Sequence, residues 1–365
     1  MSKVKIGVIG CGNISDIYFK NLTGLYENTE VFACCDLNTA LSEAAAKKYG
    51  IPHIYTMEEM LTDTSIELVI NLTPPKAHFT ISKQILSAGK HLYSEKPLAI
   101  EFSEASELVS LAKEKGLYLG CSPDTFLGAG IGTARKLIDD GVIGSPIACT
   151  AFFACHGPED WHPNPEFFYQ YGAGPMLDMG PYYLTTLAFL MGGFHSVSGI
   201  TNISIKERLI TSEPKKGSVI AVEVPTYISG HIRFQSGAVG SITTTFDVWK
   251  HKHPLIEIYG TEGTISVPDP NFFDGPVMVQ TRNEEFKEAP LFSPYTDNVR
   301  GLGISQMAKC IREGGRNKAS GEVALHVLEA MKAFDISAER GAVYQMTTKI
   351  EPMDPMPTIN KPGEV

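Results

Sequence analysis

Apolar positions change their rhythm twice along the chain. Residues 4 to 9, VKIGVI, form a short β-branched run of the kind that makes a buried strand. Gly10-Cys11-Gly12 follows at once, and Ile14, Ile17, Tyr18, Leu22 and Leu25 then recur at helical spacing. The run Val31 to Cys35 ends in Asp36, and Asn38 is placed to cap a helix carrying Leu41, Ala44, Ala45 and Tyr49 that stops at Gly50. Thr56 and Glu59 read as a capping box for a short helix, and Ile66 to Leu72 as a strand apolar on both faces. Pro75 suits the first turn of a helix ending near Gly89. Strand His91 to Ser94, helix Ser103 to Lys115 and strand Leu117 to Cys121 continue the alternation. Right-handed crossovers turn such a β-α repeat into a parallel sheet covered on both faces.

Beyond residue 124 the pattern is different. A helix from Ala129 to Asp140 and a strand from Ile147 to Ala154 precede a loop rich in proline and aromatic residues, His156 to Pro175. From residue 197 to about 281, β-rich runs such as TYISGHIRF, GAVGSITTTF and PLIEIYG are separated by Ser236-Gly237 and Glu262-Gly263, which predicts antiparallel hairpins. Two amphipathic helices, Ile304 to Arg312 and Val323 to Glu339, and a proline-rich tail finish the chain. With 365 residues exceeding what one core usually organises, two domains are expected. Residues 1–124 would be an α/β Rossmann dinucleotide-binding domain. Residues 125–365 would be an α+β domain with a large, mostly antiparallel open sheet, serving substrate binding and oligomerisation.

Charge and composition narrow the function. A net charge of −10 without a basic stripe lacks the electrostatic footprint of nucleic-acid binding. Apolar stretches are strand-sized or interrupted, and MSKVKIGVIG enters a strand with no signal-peptide core, so a cytoplasmic protein without membrane contact is expected. The seven cysteines, an odd number without a C-x-x-C pair, read as reduced core thiols.

The turn Gly10-Cys11-Gly12-Asn13-Ile14-Ser15 joins a first strand to a helix N-terminus. Glycine there lets a pyrophosphate approach free backbone N–H groups and the positive end of the helix dipole. Ser15 keeps a small residue at the third position of the pattern. Asp36, ending the second strand, is placed to accept hydrogen bonds from the adenosine ribose and to repel a 2′-phosphate, which favours NAD over NADP, although NADP stays possible. Asp36 also reads as a simple turn or capping residue. Glu95-Lys96-Pro97 ends an apolar strand where open α/β sheets place ligands; Lys96 could stabilise alkoxide character with Glu95 holding it, or the pair could be a surface ion pair.

Four segments, IGVIGCGNIS, NLTPPKAHFTISKQILSAGKHLYSEKPLA, GAGPMLDMGPYYLTTLAFLMG and IEIYGTEGTISV, resemble the Gfo/Idh/MocA family, which includes glucose-fructose oxidoreductase and inositol dehydrogenases. The resemblance runs over nearly the whole chain. It implies that Lys96 is catalytic or substrate-binding, that Thr73, Pro74 and His78 line the nicotinamide side of the cofactor cleft, and that Asp178 is an active-site carboxylate. Many members carry a histidine four residues after that aspartate; this chain has Tyr182. A tyrosine can relay a proton, and a neighbouring Lys96 ammonium is expected to lower its pKa; Tyr183 is the nearby rival. A homodimer or homotetramer, paired through the open sheet, is implied in the same way.

The loop around His156, Glu159, Asp160, Trp161 and His162 could close over a sugar, with Trp161 stacking on the ring and His162 bonding hydroxyls, or it could pack on its own aromatics. No metal site is expected, because prolines break the ligand spacing. Lys250, His251, Lys252 and His253 form a basic cluster or a solvated turn, and Asp124 and Thr125 could touch substrate or cap a helix. The function expected is NAD-dependent oxidation or reduction of a secondary alcohol or ketone of a sugar, glycoside or cyclic polyol, with Lys96, Tyr182 and Asp178 catalytic. The alternatives are an NAD-retaining glycoside hydrolase or lyase working by transient oxidation and elimination, and a non-catalytic NAD-binding regulator.

Overall fold

The computed structural model describes residues 2–282, 284–357, 361, 363 and 365; the remaining part of the expected proline-rich tail lies outside them. Strands β1 (Val4–Ile9), β2 (Thr29–Cys35), β3 (His53–Ile54), β4 (Leu68–Asn71), β5 (His91–Ser94) and β6 (Leu119–Cys121) form a parallel six-stranded sheet in the order β3-β2-β1-β4-β5-β6. The apolar runs end up here because this sheet is buried on both faces: Val8, Ala33, Ile70 and Leu92 are all solvent-free. The crossovers contain α1 (Ser15–Gly24), α2 (Thr39–Tyr49), α3 (Met57–Thr62), α4 (Pro75–Ser87) and α5 (Phe102–Glu114). Their boundaries follow local chemistry. Asn38 accepts the Ala40 N–H to start α2, Gly50 ends it in the left-handed region, and Thr56 with Glu59 makes both bonds of a capping box. Strand β3, two residues long, is too short for its periodicity to announce it.

Strand order reverses between β1 and β4. In this fold class the crevice at the carboxyl ends of two such strands is where ligands bind.

The second domain begins with α6 (Ala129–Asp139), β7 (Pro146–Ala154), α7 (Pro175–Met191), β8 (Phe194–Asn202), β9 (Glu207–Leu209) and β10 (Val219–Ala221). It continues through β11 (Tyr227–Phe234), β12 (Val239–Thr245), β13 (Ile256–Gly260), β14 (Gly263–Val267), β15 (Val277–Thr281) and β16 (Lys287–Ala289) to α8 (Leu302–Glu313), α9 (Gly321–Arg340) and β17 (Tyr344–Gln345). Nine strands form one sheet, β16-β15-β14-β13-β7-β12-β11-β8-β17, antiparallel except for β7 beside β12. Helices α7 and α9 cover one face, and their apolar sides (Leu184, Leu187, Val327, Phe334) join the main core. The opposite face carries a shallow concavity lined by Thr150, Ser198, His231, Arg233, Ser241 and Tyr259.

Helix α8 returns to the first domain. Asn21 donates to the carbonyls of Asn298 and Arg300, Asn28 pairs with Ser305, and Arg312 makes two 2.6 Å bonds to the Glu67 carboxylate. The late segment is therefore fixed against α1 and β1, and it carries residues to the edge of the crevice. Among the described residues no helix is long and apolar enough to cross a membrane, and all seven thiols are free.

Candidate active site

The first wall of the crevice is the glycine turn. Gly10 has φ +97, and a side-chain carbon there would lie 2.8 Å from the Leu72 carbonyl, so residue type is dictated by the neighbouring β4 backbone. Gly12 has nothing within 4 Å of where a Cβ would sit; its freedom serves whatever approaches from outside. Asn13 and Ile14 are exposed beside it, and Ser15 Oγ donates to the Gly12 carbonyl at 2.7 Å. Asp36 stands against the same turn. One carboxylate oxygen accepts the Cys11 N–H at 2.7 Å and the other accepts the Asn38 N–H at 2.8 Å. Open amides at a helix start with a carboxylate beside them fit a dinucleotide: Gly12, Asn13 and Ile14 would hold the pyrophosphate and Asp36 the ribose.

The opposite wall is the turn after β4. Asn71 Oδ1 accepts both the N–H and the hydroxyl of Thr73, and Pro74 is exposed at the start of α4. His78 is not a lining residue. It is fully buried, with its ring nitrogens 2.6 Å from the carbonyl oxygens of Thr73 and Pro97, and burial pushes its pKa down. Its place on the inner face of α4 makes it the tie between the Thr73 turn and the Lys96-Pro97 turn.

Lys96 enters from the end of β5. Its Nζ donates to the carbonyl oxygen of Asp178 at 2.8 Å and to its Oδ1 at 2.9 Å, joining the two domains at the first turn of α7. Burial opposes this charge, but the Asp178 carboxylate, and then Tyr182, outweigh it and raise the pKa of the lysine. The expectation that Glu95 holds the ammonium is corrected. Glu95 accepts the N–H of Lys96 at 2.9 Å and the hydroxyl of Tyr18 at 2.6 Å, while Ser122 donates to that hydroxyl at 2.8 Å. Glu95 thus shapes the main chain, and the ammonium belongs to Asp178.

Tyr182 lies one helical turn beyond Asp178, with Lys96 Nζ 5.4 Å from its ring centroid. Its pKa is raised, not lowered. Burial is the largest influence and Glu95 adds to it; Lys96 and Arg300 pull the other way without overcoming them. Tyr183 is removed as a rival because it points into the core, its ring beside Phe153.

Asp124 is corrected as a substrate ligand. It is buried, and one of its oxygens accepts the N–H groups of Gly301 and Gly303 at 2.9 and 3.0 Å, so it caps α8 from across the chain. Burial pushes its pKa up. Thr125 donates to the Pro270 carbonyl, also away from the crevice.

The aromatic loop packs on its own small core of Phe168, Tyr169, Ile210, Ile220 and Phe246. Arg208 threads it, donating to Glu159 at 2.7 Å, to the carbonyls of His156 and Phe246, and to Asp247; Tyr169 also bonds Glu159. With its carboxylate so engaged, Glu159 is no partner for a metal between His156 and His162. Trp161 is 66% exposed and meets His162 and Phe168 edge-on, so the loop presents its ring outward. His251 and His253 lie against Phe152, while Lys250 and Lys252 face solvent.

Sequence reading missed Arg300. It precedes α8 in a loop without periodicity, and only the packing of that loop on α1 brings its charge to bear on Tyr182, whose pKa it pulls down against burial. No local pattern would have found it.

Residues 4–122 match the family model described as the oxidoreductase family, NAD-binding Rossmann fold, and residues 131–266 match the GFO/IDH/MocA C-terminal domain. An uncharacterized oxidoreductase of Schizosaccharomyces pombe is 31% identical over 54% of this chain and 54% of its own length. Levoglucosan dehydrogenase of Pseudarthrobacter phenanthrenivorans is 26% identical over 63% of each chain. The alignments thus span less than two thirds of these relatives. A solved levoglucosan dehydrogenase, in complex with NADH and L-sorbose, superimposes with a TM-score of 0.81 at 22% identity, covering 95% of this chain and 99% of that one, and so shares the fold. Its first domain an NAD-binding Rossmann domain and its second the matching C-terminal domain, the chain belongs to the GFO/IDH/MocA oxidoreductase family.

Proposed function

We propose that this protein is an NAD-dependent dehydrogenase that interconverts a secondary alcohol and its ketone on a sugar, glycoside or cyclic polyol. The observation that carries the reading is the ion pair of Lys96 with Asp178 at the carboxyl end of β5, one helical turn from the Tyr182 hydroxyl. The family match and the sugar named for levoglucosan dehydrogenase support the substrate class.

Bound NAD supplies the hydride acceptor. The chain's own groups do the rest. Lys96, kept charged by Asp178, donates to the reacting oxygen and stabilises alkoxide character; Tyr182 takes the proton in oxidation and returns it in reduction. Glu95, Tyr18 and Ser122 fix the main chain that presents Lys96. Exposed Trp161 offers an apolar ring face to the sugar, with His162 beside it for hydroxyls. Holding the reacting carbon against the nicotinamide between two domains makes the step effectively intramolecular.

Asp36 favours NAD over NADP by charge repulsion. The boundary near residue 124 is proposed as the hinge line of the cleft, and the open face with His231, Arg233 and Tyr259 as the pairing surface of a homodimer or homotetramer. The test is a panel of sugars, glycosides and inositols with NAD and NADP, followed by nicotinamide absorbance. Turnover of at least one member is expected, and Lys96→Met should lower kcat by roughly a thousandfold while NAD still binds. A Lys96→Met enzyme with full turnover refutes the assignment.

A further inference from the structure

Lys96 constrains the second domain as well as pairing with it. Its Nζ takes both the carbonyl and the carboxylate of one residue, Asp178, so both bonds survive only while the main chain at the start of α7 keeps its place against the end of β5. A carboxylate can follow a shifted lysine by rotating its side chain; a main-chain carbonyl cannot.

The groups that hold this place lie a few residues away on both sides. Glu101 stands five residues after Lys96 at the start of α5, and Tyr171 stands seven residues before Asp178 in the loop that leads into α7. The Tyr171 hydroxyl donates to Glu101 Oε1. Lys332 of α9 donates to the same oxygen at 3.1 Å, with its Nζ 5.6 Å from the centre of the Tyr171 ring. Burial works against the Glu101 charge, and the Tyr171 hydroxyl and the Lys332 ammonium outweigh it, keeping the carboxyl below its ordinary pKa. One carboxylate of the first domain is thus fastened to two elements of the second.

The stretches between these groups and the ion pair are short and held. On the first-domain side Leu98 and Ala99 are buried, and the Pro97 carbonyl oxygen lies 2.6 Å from the His78 ring. On the second-domain side Gly172 has φ +86, and a side-chain carbon there would come within 2.8 Å of Ile100 Cδ1, so the loop backbone lies directly on the run between Lys96 and Glu101. The Gly174 N–H then bonds the Phe168 carbonyl at 2.9 Å, and the Asp178 N–H bonds the Gly174 carbonyl at 3.0 Å. Upstream, the Arg208 cluster and the Glu223 N–H on the Tyr169 carbonyl root the loop in its own domain.

We infer that Glu101 is a positioning residue, which with Tyr171 and Lys332 clasps the entrance of α7 to the first domain and so keeps Asp178 in register with Lys96. This rests on Lys96 acting at the reacting oxygen of the proposed dehydrogenase. Tyr171 is 62% exposed, and an ion pair as open as that of Lys332 with Glu101 adds little to stability, so the clasp acts on the geometry of the site.

The test uses the full chain and two readouts. Labelling of Lys96 by an amine reagent at about pH 9, read by peptide mass spectrometry with exposed Lys20 as internal standard, needs no turnover: an ammonium held by Asp178 reacts slowly and a released one faster. Glu101→Ala should raise that rate by roughly threefold to tenfold and lower kcat by a similar factor, with KM for NAD changing less. Glu101→Gln keeps an acceptor oxygen for both donors and should restore part of each. Tyr171→Phe should shift both readouts less, in the same direction, and should add little to Glu101→Ala because the two side chains share one bond. The variants should melt close to the parent. Unchanged Lys96 labelling in Glu101→Ala, or a Tyr171→Phe effect that adds to it in full, overturns the proposal. If Glu101→Ala melts early, Tyr171→Phe decides alone, since it removes only a hydroxyl. Full turnover by Lys96→Met would instead refute the catalytic reading, and labelling would still judge the clasp.

Discussion

Placing a methyl group on Gly10 or on Gly12 should damage cofactor binding by two separable routes. At Gly10 the obstacle is the protein. Alanine at φ +97 carries the left-handed penalty of about 1–2 kcal/mol, and its Cβ would stand 2.8 Å from the carbonyl carbon and oxygen of Leu72. That carbonyl cannot retreat freely, because the Leu72 N–H is bonded to Ile9 in the centre of the sheet at 2.8 Å. Relief of the overlap adds about 1–3 kcal/mol, so Gly10→Ala should destabilise the fold by ~2–5 kcal/mol and weaken NAD as the turn shifts. At Gly12 nothing lies within 4 Å, and Gly12→Ala should melt like the parent. Its methyl would occupy the space a diphosphate needs, and losing one charge-assisted bond of about 1.5–3 kcal/mol weakens binding by roughly tenfold to a hundredfold. Thermal melts paired with calorimetric titration of NAD separate the two. Parent-like NAD affinity in a stable Gly12→Ala protein would refute the assignment of that turn to the pyrophosphate; parent-like stability of Gly10→Ala would refute the steric argument.

Asp124→Ala leaves the Gly301 and Gly303 N–H groups buried without an acceptor, which should cost about 2–6 kcal/mol, whereas Asp124→Asn keeps an acceptor oxygen and should be mild. Denaturant titration reads both, and a raised KM without lost stability would return Asp124 to the substrate. Arg208→Met strips the partner from buried Glu159 and Asp247; a loss of about 3–5 kcal/mol is expected in denaturant titration, with faster proteolysis between residues 156 and 172. His326 accepts the Phe194 N–H on Nε2 at 2.8 Å and must stay neutral to do so, and burial pushes its pKa from 6.5 down to about 4. The folded value lies below the unfolded one, so its contribution is complete above pH 6.5 and is lost as pH falls toward 4, amounting to about 3 kcal/mol. Denaturation at both ends of that window checks the slope, which His326→Gln should flatten.

Local chemistry accounts for what could be read directly from the residues. The β-branched runs of the first domain, the Asn38 cap, the Thr56 capping box and the stop at Gly50 all appear where periodicity and capping place them, because each depends on neighbours within one helical turn. The glycine turn and Asp36 were legible for the same reason. Lys96, Asp178 and Tyr182 were recognised through motifs, and the direct contact of Lys96 with Asp178 was still not predictable, since Glu95 was the nearer carboxylate in sequence.

What tertiary structure decided is where charges end up once water is excluded. Whether Asp124 meets substrate or caps a helix depends on α8 returning to the first domain, and whether His78 lines a cleft or ties two turns depends on which face of α4 is buried. The direction of the Tyr182 pKa depends on burial outweighing Lys96 and Arg300, a balance of desolvation against charge that no stretch of sequence contains. Strand and helix preferences act over a few residues. Electrostatics and burial act through space, and the chain must fold before either has a value.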